Sequence, residues 1–330
     1  MEYRKLGLTD VDIPLVALGT WALGDPKIWG LQDEADSIAA IHASLDMGAT
    51  LIVTAEGYGQ GYSEQVVGRA LRDRRNEAII CTKASPEHHY YKELIFACER
   101  SLQRLNTEFI DIYMLHWPNH NFSFDEPARA LQKLKEQGKI GHIAVSNFGA
   151  CDLLAMLGCS RIEADELPYS LLWRAIEYEI APECVRNAVS ILCYSPLQQG
   201  LLTGRYWYPD EVPPGQARTA HFCGKRPLVP HDGPGAEQET FATIAAIRDV
   251  ANLTGYSMPQ IALAWLLTRE GVTSVIVGAR NANEAIRSAE AAALSLSSSF
   301  IETLSNVTAD LKHRFGFENP DPWQLVGRMR

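Results

Sequence analysis

T-L-I-V-T-A-E-G-Y-G-Q-G-Y-S-E-Q-V-V-G-R-A-L-R, residues 50–72, holds the whole fold argument in one unit. Residues 50–54 form a short apolar run, of the length and composition of a strand buried on both faces. A polar stretch, Thr54 to Gly59, follows it. S-E-Q then opens a segment over 63–72 in which Val66, Val67 and Leu71 recur at helical spacing. The unit is strand, loop, helix.

The same unit repeats along the chain. Strands are predicted over 15–20, 50–54, 78–83, 110–116, 140–146, 161–166, 190–195 and 273–277. Helices are predicted over 33–47, 63–72, 91–105, 127–137, 150–157, 175–188, 281–293 and 298–313, with two more over 240–253 and 258–268. Strands alternating with helices imply parallel strands joined by right-handed crossovers. Eight such units in 330 residues, with no linker cutting the chain, predict one α/β domain over 1–330, a (β/α)8 TIM barrel. An open doubly wound sheet would want a Gly-rich fingerprint after its first strand, and A-L-G-T-W-A-L-G (17–24) is not one.

Composition narrows the function classes. Hydrophobic residues at 46% and charged residues at 21% are those of an ordinary globular chain, which excludes disorder, collagen and coiled coil. A net charge of −10 argues against nucleic acid and anionic lipid as partners. The seven cysteines, 81, 98, 151, 159, 184, 193 and 223, lack any C-x-x-C pair and read as buried free thiols in a reducing compartment. With no apolar signal core and no run of about 18 apolar residues, a cytoplasmic protein is expected.

Two segments stand outside the repeat. Residues 205–237 are rich in Pro, Gly and aromatics and read as a flap loop leaving the C-terminal face of the barrel. The tail, 314–330, reads equally as a cover for that face or as a surface arm.

In a barrel, functional polar residues belong at the C-terminal ends of strands. Here those ends bring together Tyr58, Lys83 and His116, a set suited to proton chemistry at a carbonyl. Tyr can donate a proton, a neighbouring ammonium lowers its pKa from about 10 towards neutrality, and His can orient the carbonyl oxygen. Singly each has a bland reading as loop aromatic, strand cap or core histidine; jointly the functional reading prevails.

With these motifs the chain resembles the aldo-keto reductases over nearly its whole length. The resemblance rests on L-G-T-W (18–21), T-A-E-G-Y-G (54–59), C-T-K (81–83), L-H-W-P-N (115–119), G-K-I-G-H-I-A-V-S-N-F (138–148), Y-S-L-L-W-R (169–174), Y-S-P-L-Q-Q-G-L-L-T-G (194–204) and G-A-R-N (278–281). It implies an NADP(H)-dependent oxidoreductase that reduces aldehydes or ketones, or oxidises the alcohols. Tyr58 would be the general acid, Lys83 its activating partner and His116 the carbonyl orienter. Ser146, Asn147 and Glu166 would hold the nicotinamide carboxamide, and Tyr194 would stack on its ring. Ser195, Leu197, Gln199 and Gly200 would follow the pyrophosphate, Arg280 would meet a 2′-phosphate, and Glu284 and Ser288 would lie by the adenosine. Gly19, Thr20, Trp21, Val53 and Gly278 would complete the cofactor groove. Trp21, Trp29, Tyr58, His116 and Trp117, with Trp207 or Tyr208 from the flap, would wall a pocket for a sugar-like or aromatic carbonyl. His88, His89 and His120 read as solvated surface rather than metal ligands.

The chain departs from the family at one central place. The family has an Asp five residues before the Tyr, and here that residue is Val53. Without the carboxylate a buried Lys83 is expected to lose the partner of its charged form, so its pKa should fall and Tyr58 go unactivated; an ammonium that stayed charged would instead pull Tyr58 down harder. Both alternatives stay open in the sequence, and an attenuated enzyme is the expectation. Glu166 stands where the family often has Gln and can accept from an amide but not donate. Glu284 favours a ribose hydroxyl and Arg280 a phosphate, which leaves NADP(H) favoured over NAD(H). The other reading is a non-catalytic nicotinamide-binding regulator of the same fold, like the family's potassium-channel β subunits. Oligomeric state is left open.

Overall fold

The computed structural model describes residues 1–121 and 123–330. A short antiparallel hairpin comes first, β1 (Tyr3–Lys5) and β2 (Asp12–Pro14). The remaining strands are β3 (Val16–Gly19), β4 (Leu51–Val53), β5 (Ile79–Ala84), β6 (Ile110–Leu115), β7 (Ile140–Ser146), β8 (Ala164–Pro168), β9 (Ser190–Tyr194) and β10 (Val272–Gly278). These eight close into a parallel barrel in the order β10-β3-β4-β5-β6-β7-β8-β9, so every predicted strand finds its place.

Most predicted helices match within a few residues, and Tyr91–Leu105 and Ala150–Leu157 match at both ends. The stretch over 175–188 splits into a 3₁₀ turn and a helix, Ile180–Arg186. The stretch over 298–313 breaks at Thr308, between Ser298–Val307 and Ala309–Phe315. The hairpin falls outside the predicted strands, because its strands have three residues each, too short to read as an apolar run.

Alternation along each strand explains where the site lies. On β6, Ile112 and Met114 enter the barrel interior while Tyr113 and Leu115 join the outer core under the helices. The interior floor is Ala17, Leu51, Cys81, Met114, Ala144, Ala164, Leu192 and Ile276, closed by Leu6 and Ile13 of the hairpin region. Two residues further along each strand direction stand Gly19, Val53, Lys83, His116, Ser146, Glu166, Tyr194 and Gly278. The two-residue period therefore lifts one residue per strand from the apolar floor to the C-terminal mouth.

The four buried cysteines, 81, 98, 184 and 193, fit the expectation; Cys151 is exposed, and Cys159 and Cys223 are partly so. Among the described residues, no helix is long and apolar enough to cross a membrane.

Candidate active site

The mouth opens into one cleft of about 1080 Å³, at the upper end of the range of ligand pockets. Every residue predicted for cofactor or substrate lines it except the flap's Trp207 and Tyr208, while Lys83 lies fully buried behind Tyr58 and Glu166.

Tyr58 sits on the loop after β4. That loop crosses so close to Gly24 that a Cβ on Gly59, at φ +57°, would lie 1.9 Å from the Gly24 carbonyl oxygen. Glu56 pins the same loop from below, accepting from the Ser85 backbone N–H at 2.7 Å and lying 2.7 Å from His88 Nδ1. Trp21 stacks beside the Tyr58 ring at 6.1 Å between centroids.

Lys83 Nζ donates to the Thr54 carbonyl at 3.0 Å and to the Tyr58 hydroxyl at 3.5 Å. Its third neighbour is Glu166 Oε2 at 3.1 Å, an ion pair between two buried side chains that falls short of a well-aligned hydrogen bond. The expectation of a Lys83 without a partner is therefore corrected. Burial is the largest single influence and works against the ammonium, but the Glu166 carboxylate, first among the groups that oppose it, together with Tyr58 and Cys81 carries the Lys83 pKa up rather than down. The same burial works against the Glu166 carboxylate, with Lys83 opposing it. Val53 meanwhile is 1% exposed and packs into the apolar floor.

Tyr58 also differs from expectation. Burial pushes its phenol above 10, and the pull of Lys83 is partly cancelled by the negative Glu166. In this site Tyr58 holds its proton. His116 is held neutral: burial drives its pKa well below 6.5, and the positive charges of Lys83 and Arg328 act in the same direction. Its ring meets Tyr58 edge-on at 5.6 Å.

Asn147 knits the next three strand ends together. Its Nδ2 donates to the His116 carbonyl at 3.0 Å and to Ser146 Oγ at 2.9 Å, and its Oδ1 accepts from the Tyr194 hydroxyl at 2.8 Å. Asn147, Ser195, Gln198 and Gln199 all have positive φ, the kind of backbone strain that collects at binding sites. Both amide atoms of buried Gln199 lack a partner among the described residues, although the residue lines the cleft. At the far end Arg280 donates to Gln32 Oε1 at 2.7 Å and to the Leu31 carbonyl, and Glu284 accepts from the Arg280 backbone N–H at 2.9 Å.

The walls are aromatic, but partly from residues the sequence did not single out. Trp207 and Tyr208 are exposed and do not reach the cleft; Arg248 covers the Trp207 ring instead. The flap sends in Tyr206, Gln216 and Arg218, and the Arg218 guanidinium lies over Trp21 at 5.4 Å. The tail covers the mouth. Trp323 lies parallel to Tyr194 at 6.1 Å and edge-on to Trp117, while Arg328 sits over Trp117 at 3.3 Å. Backbone bonds hold the tail down: Ala220 N–H donates to the Pro322 carbonyl at 2.7 Å, and Asp152 N–H to the Arg330 carbonyl at 3.0 Å. The tail's Pro-Asp-Pro-Trp run was the available signal, but it carries no periodicity that could aim it. Of the histidines read as solvated surface, His89 is instead fully buried, His88 is half-buried and pairs with Glu56, and His120 is exposed and lies 2.8 Å from Asp152.

Proton chemistry at the C-terminal mouth of a (β/α)8 barrel is the class that this arrangement defines. Residues 15–309 match the Aldo/keto reductase family. The chain is 31% identical over 295 residues to the aldo-keto reductase YhdN of Bacillus subtilis, with 85% of each chain covered. It is 33% identical over 303 residues to an NADH-specific methylglyoxal reductase of Escherichia coli, covering 84% of this chain and 90% of that one. An aldo/keto reductase from Klebsiella pneumoniae, solved in complex with NADP and acetate, superposes with a TM-score of 0.73 at 27% identity, covering 100% of this chain and 99% of that one. The chain belongs to the aldo/keto reductase family and is an oxidoreductase.

Proposed function

We propose that the protein reduces a small aldehyde or ketone to the alcohol with NADP(H), or runs the reverse, with Tyr58 as the acid. The observation that carries this reading is the convergence at one barrel mouth of Tyr58, Lys83 Nζ 3.5 Å from its hydroxyl, and the His116 ring 5.6 Å from the Tyr58 ring. The bound nicotinamide supplies the hydride. The chain's own residues do the rest. Neutral His116 donates a hydrogen bond to the carbonyl oxygen, Tyr58 gives that oxygen its proton, and Lys83 faces the phenolate left behind.

The residues present fit a nicotinamide dinucleotide. Unpartnered Gln199 and the strained turns at Asn147 and Ser195 offer polar contacts along the cleft. Ser146, Asn147 and Glu166 would meet the carboxamide, Tyr194 the ring, and Ser195, Leu197 and Gly200 the pyrophosphate. Arg280 and Ser288 would reach the adenosine end. NADP(H) is favoured because the Glu284 carboxylate is turned to its own loop, where it accepts from the Arg280 N–H, while cationic Arg280 and Arg287 both line that end.

Aromatic walls with unpartnered donors at Trp29 Nε1 and Arg218 Nη2 suit an aromatic or hydroxyl-bearing, sugar-like carbonyl. The test is NADPH and NADH oxidation with 4-nitrobenzaldehyde, glyceraldehyde and methylglyoxal, beside NADPH binding by fluorescence. Turnover that prefers NADPH supports the reading. Tight NADPH binding without turnover of any carbonyl would replace it with the regulatory role.

A further inference from the structure

We propose that Glu166, reaching across the barrel from β8, is the positioning residue that keeps Lys83 charged and aimed at the Tyr58 hydroxyl. This rests on the reading of Tyr58 as the acid. Among the described residues Glu166 is the one carboxylate within ion-pairing distance of Lys83 Nζ. An ammonium has three protons to place, and Nζ has three oxygen neighbours: the Thr54 carbonyl at 3.0 Å, Glu166 Oε2 at 3.1 Å and the Tyr58 hydroxyl at 3.5 Å. Remove Glu166 and the buried amine keeps no charge partner, so desolvation favours its neutral form.

The strand order shows why a glutamate serves here. β8 stands four places from β4 in the closed order of eight, which is the far side of the mouth, whereas β5, which bears Lys83, is next to β4. A carboxylate at position 53 would reach Lys83 from the adjacent strand; Val53 offers only apolar surface to the floor. Glu166 points inward two residues beyond Ala164 and has the longer of the two acidic side chains. The mouth thus keeps one carboxylate for one ammonium, with the carboxylate on the opposite wall. As Tyr58 passes its proton to the carbonyl oxygen, the negative charge moves to the phenolate. A Lys83 held charged by Glu166 is the cation there to meet it, and water returns the proton when product leaves.

The test compares wild type, Y58F, E166Q and V53D/E166Q in NADPH oxidation with the same three carbonyls from pH 5.5 to 9.5. NADPH fluorescence titration and a thermal melt check binding and folding. For E166Q we expect kcat to fall ~100-fold with KM within about threefold, a loss of proton-transfer catalysis rather than of binding. We also expect its activity to decline at a pH at least about one unit lower than wild type, as the unpaired Lys83 deprotonates. A role in packing alone would not move that limb. V53D/E166Q should recover at least about tenfold in kcat and return the limb towards wild type, because position 53 lies beside Lys83.

A folded, NADPH-binding E166Q within about threefold of wild-type kcat and with an unmoved pH profile overturns the proposal while leaving Tyr58 as the acid. If E166Q does not fold, the double variant decides: turnover within about tenfold of wild type supports the proposal, and a folded protein ~100-fold slower overturns it. Wild type without turnover, or Y58F with full turnover, overturns the Tyr58 reading and this proposal with it.

Discussion

Strands β4 and β8 end on opposite sides of the barrel mouth and divide its chemistry unequally. β4 finishes as Leu51-Ile52-Val53 with apolar side chains, and the loop after it supplies the Thr54 carbonyl to Lys83 and then Tyr58. β8 carries two adjacent acidic residues, Asp165 and Glu166, that meet different fates. Glu166 points inward and meets Lys83, whereas Asp165 points away, is fully buried, and among the described residues has only the Phe148 N–H at 3.5 Å as a donor. Burial without a cation pushes the Asp165 carboxyl well above its ordinary range, which favours its protonated form. Charge at this mouth is decided by what each side chain meets after the barrel closes, and the strand that supplies it matters less than whether the side chain can reach.

The largest expected effect removes the atom on which both walls converge. Tyr58→Phe should lower kcat by ~10³ while NADPH still binds, measured by steady-state turnover beside fluorescence titration. Retained turnover would mean that another group gives the proton and that the Lys83–Glu166 pair serves structure.

Histidines extend the comparison to cations. His89 and His221 are buried without an anionic partner among the described residues, and burial lowers both to about 4. A neutral buried imidazole binds fewer protons folded than unfolded. Its contribution is present at neutral pH and is lost as pH falls below the unfolded value of about 6.5, until the folded group titrates near 4. For each this amounts to about 2 kcal/mol, or about 30-fold in the folding equilibrium, between pH 7 and pH 5. Urea melts of wild type and His221→Gln at the two pH values should show the stability gap between them narrow by that amount; a constant gap would mean that His221 is charged in the folded protein.

A smaller effect concerns the cover over the mouth. Trp323→Ala removes the ring beside Tyr194 and Trp117 and should raise the carbonyl KM by about tenfold with kcat within about threefold. An equal fall in kcat would instead place Trp323 in the reacting geometry. The smallest effect sharpens the contrast on β8. Asp165→Asn preserves the shape of a carboxyl whose neutral form burial favours, and kcat should stay within about threefold of wild type, against the large loss expected for Glu166→Gln. Similar losses at both positions would show that the strand, rather than the ion pair, is what Lys83 needs.

Much of this site was legible because strand ends in a barrel converge. Tyr58, Lys83 and His116 could be read as one group from the eight apolar runs alone. What misled the reading of Val53 was the family pattern: a partner for Lys83 was sought at the family's Asp position five residues before Tyr58, while the actual partner lies on β8. Glu166 had been noticed, but as a contact to the cofactor amide. The flap was located correctly and its inward residues were not, because in R-Y-W-Y the more conspicuous Trp207 and Tyr208 point to solvent and Tyr206 points in.

The sequence by itself determined the barrel, since period-two and helical patterns are local and eight repeats of them admit few arrangements. It also determined the rim residues, since strand direction and alternation place one per strand at the C-terminal mouth. Only the tertiary structure decided the protonation of that rim, the pairing of Lys83 with Glu166 and the closure of the mouth by Trp323 and Arg328. Those depend on contacts between segments far apart in the chain and on the desolvation that closure brings, and no local pattern records either.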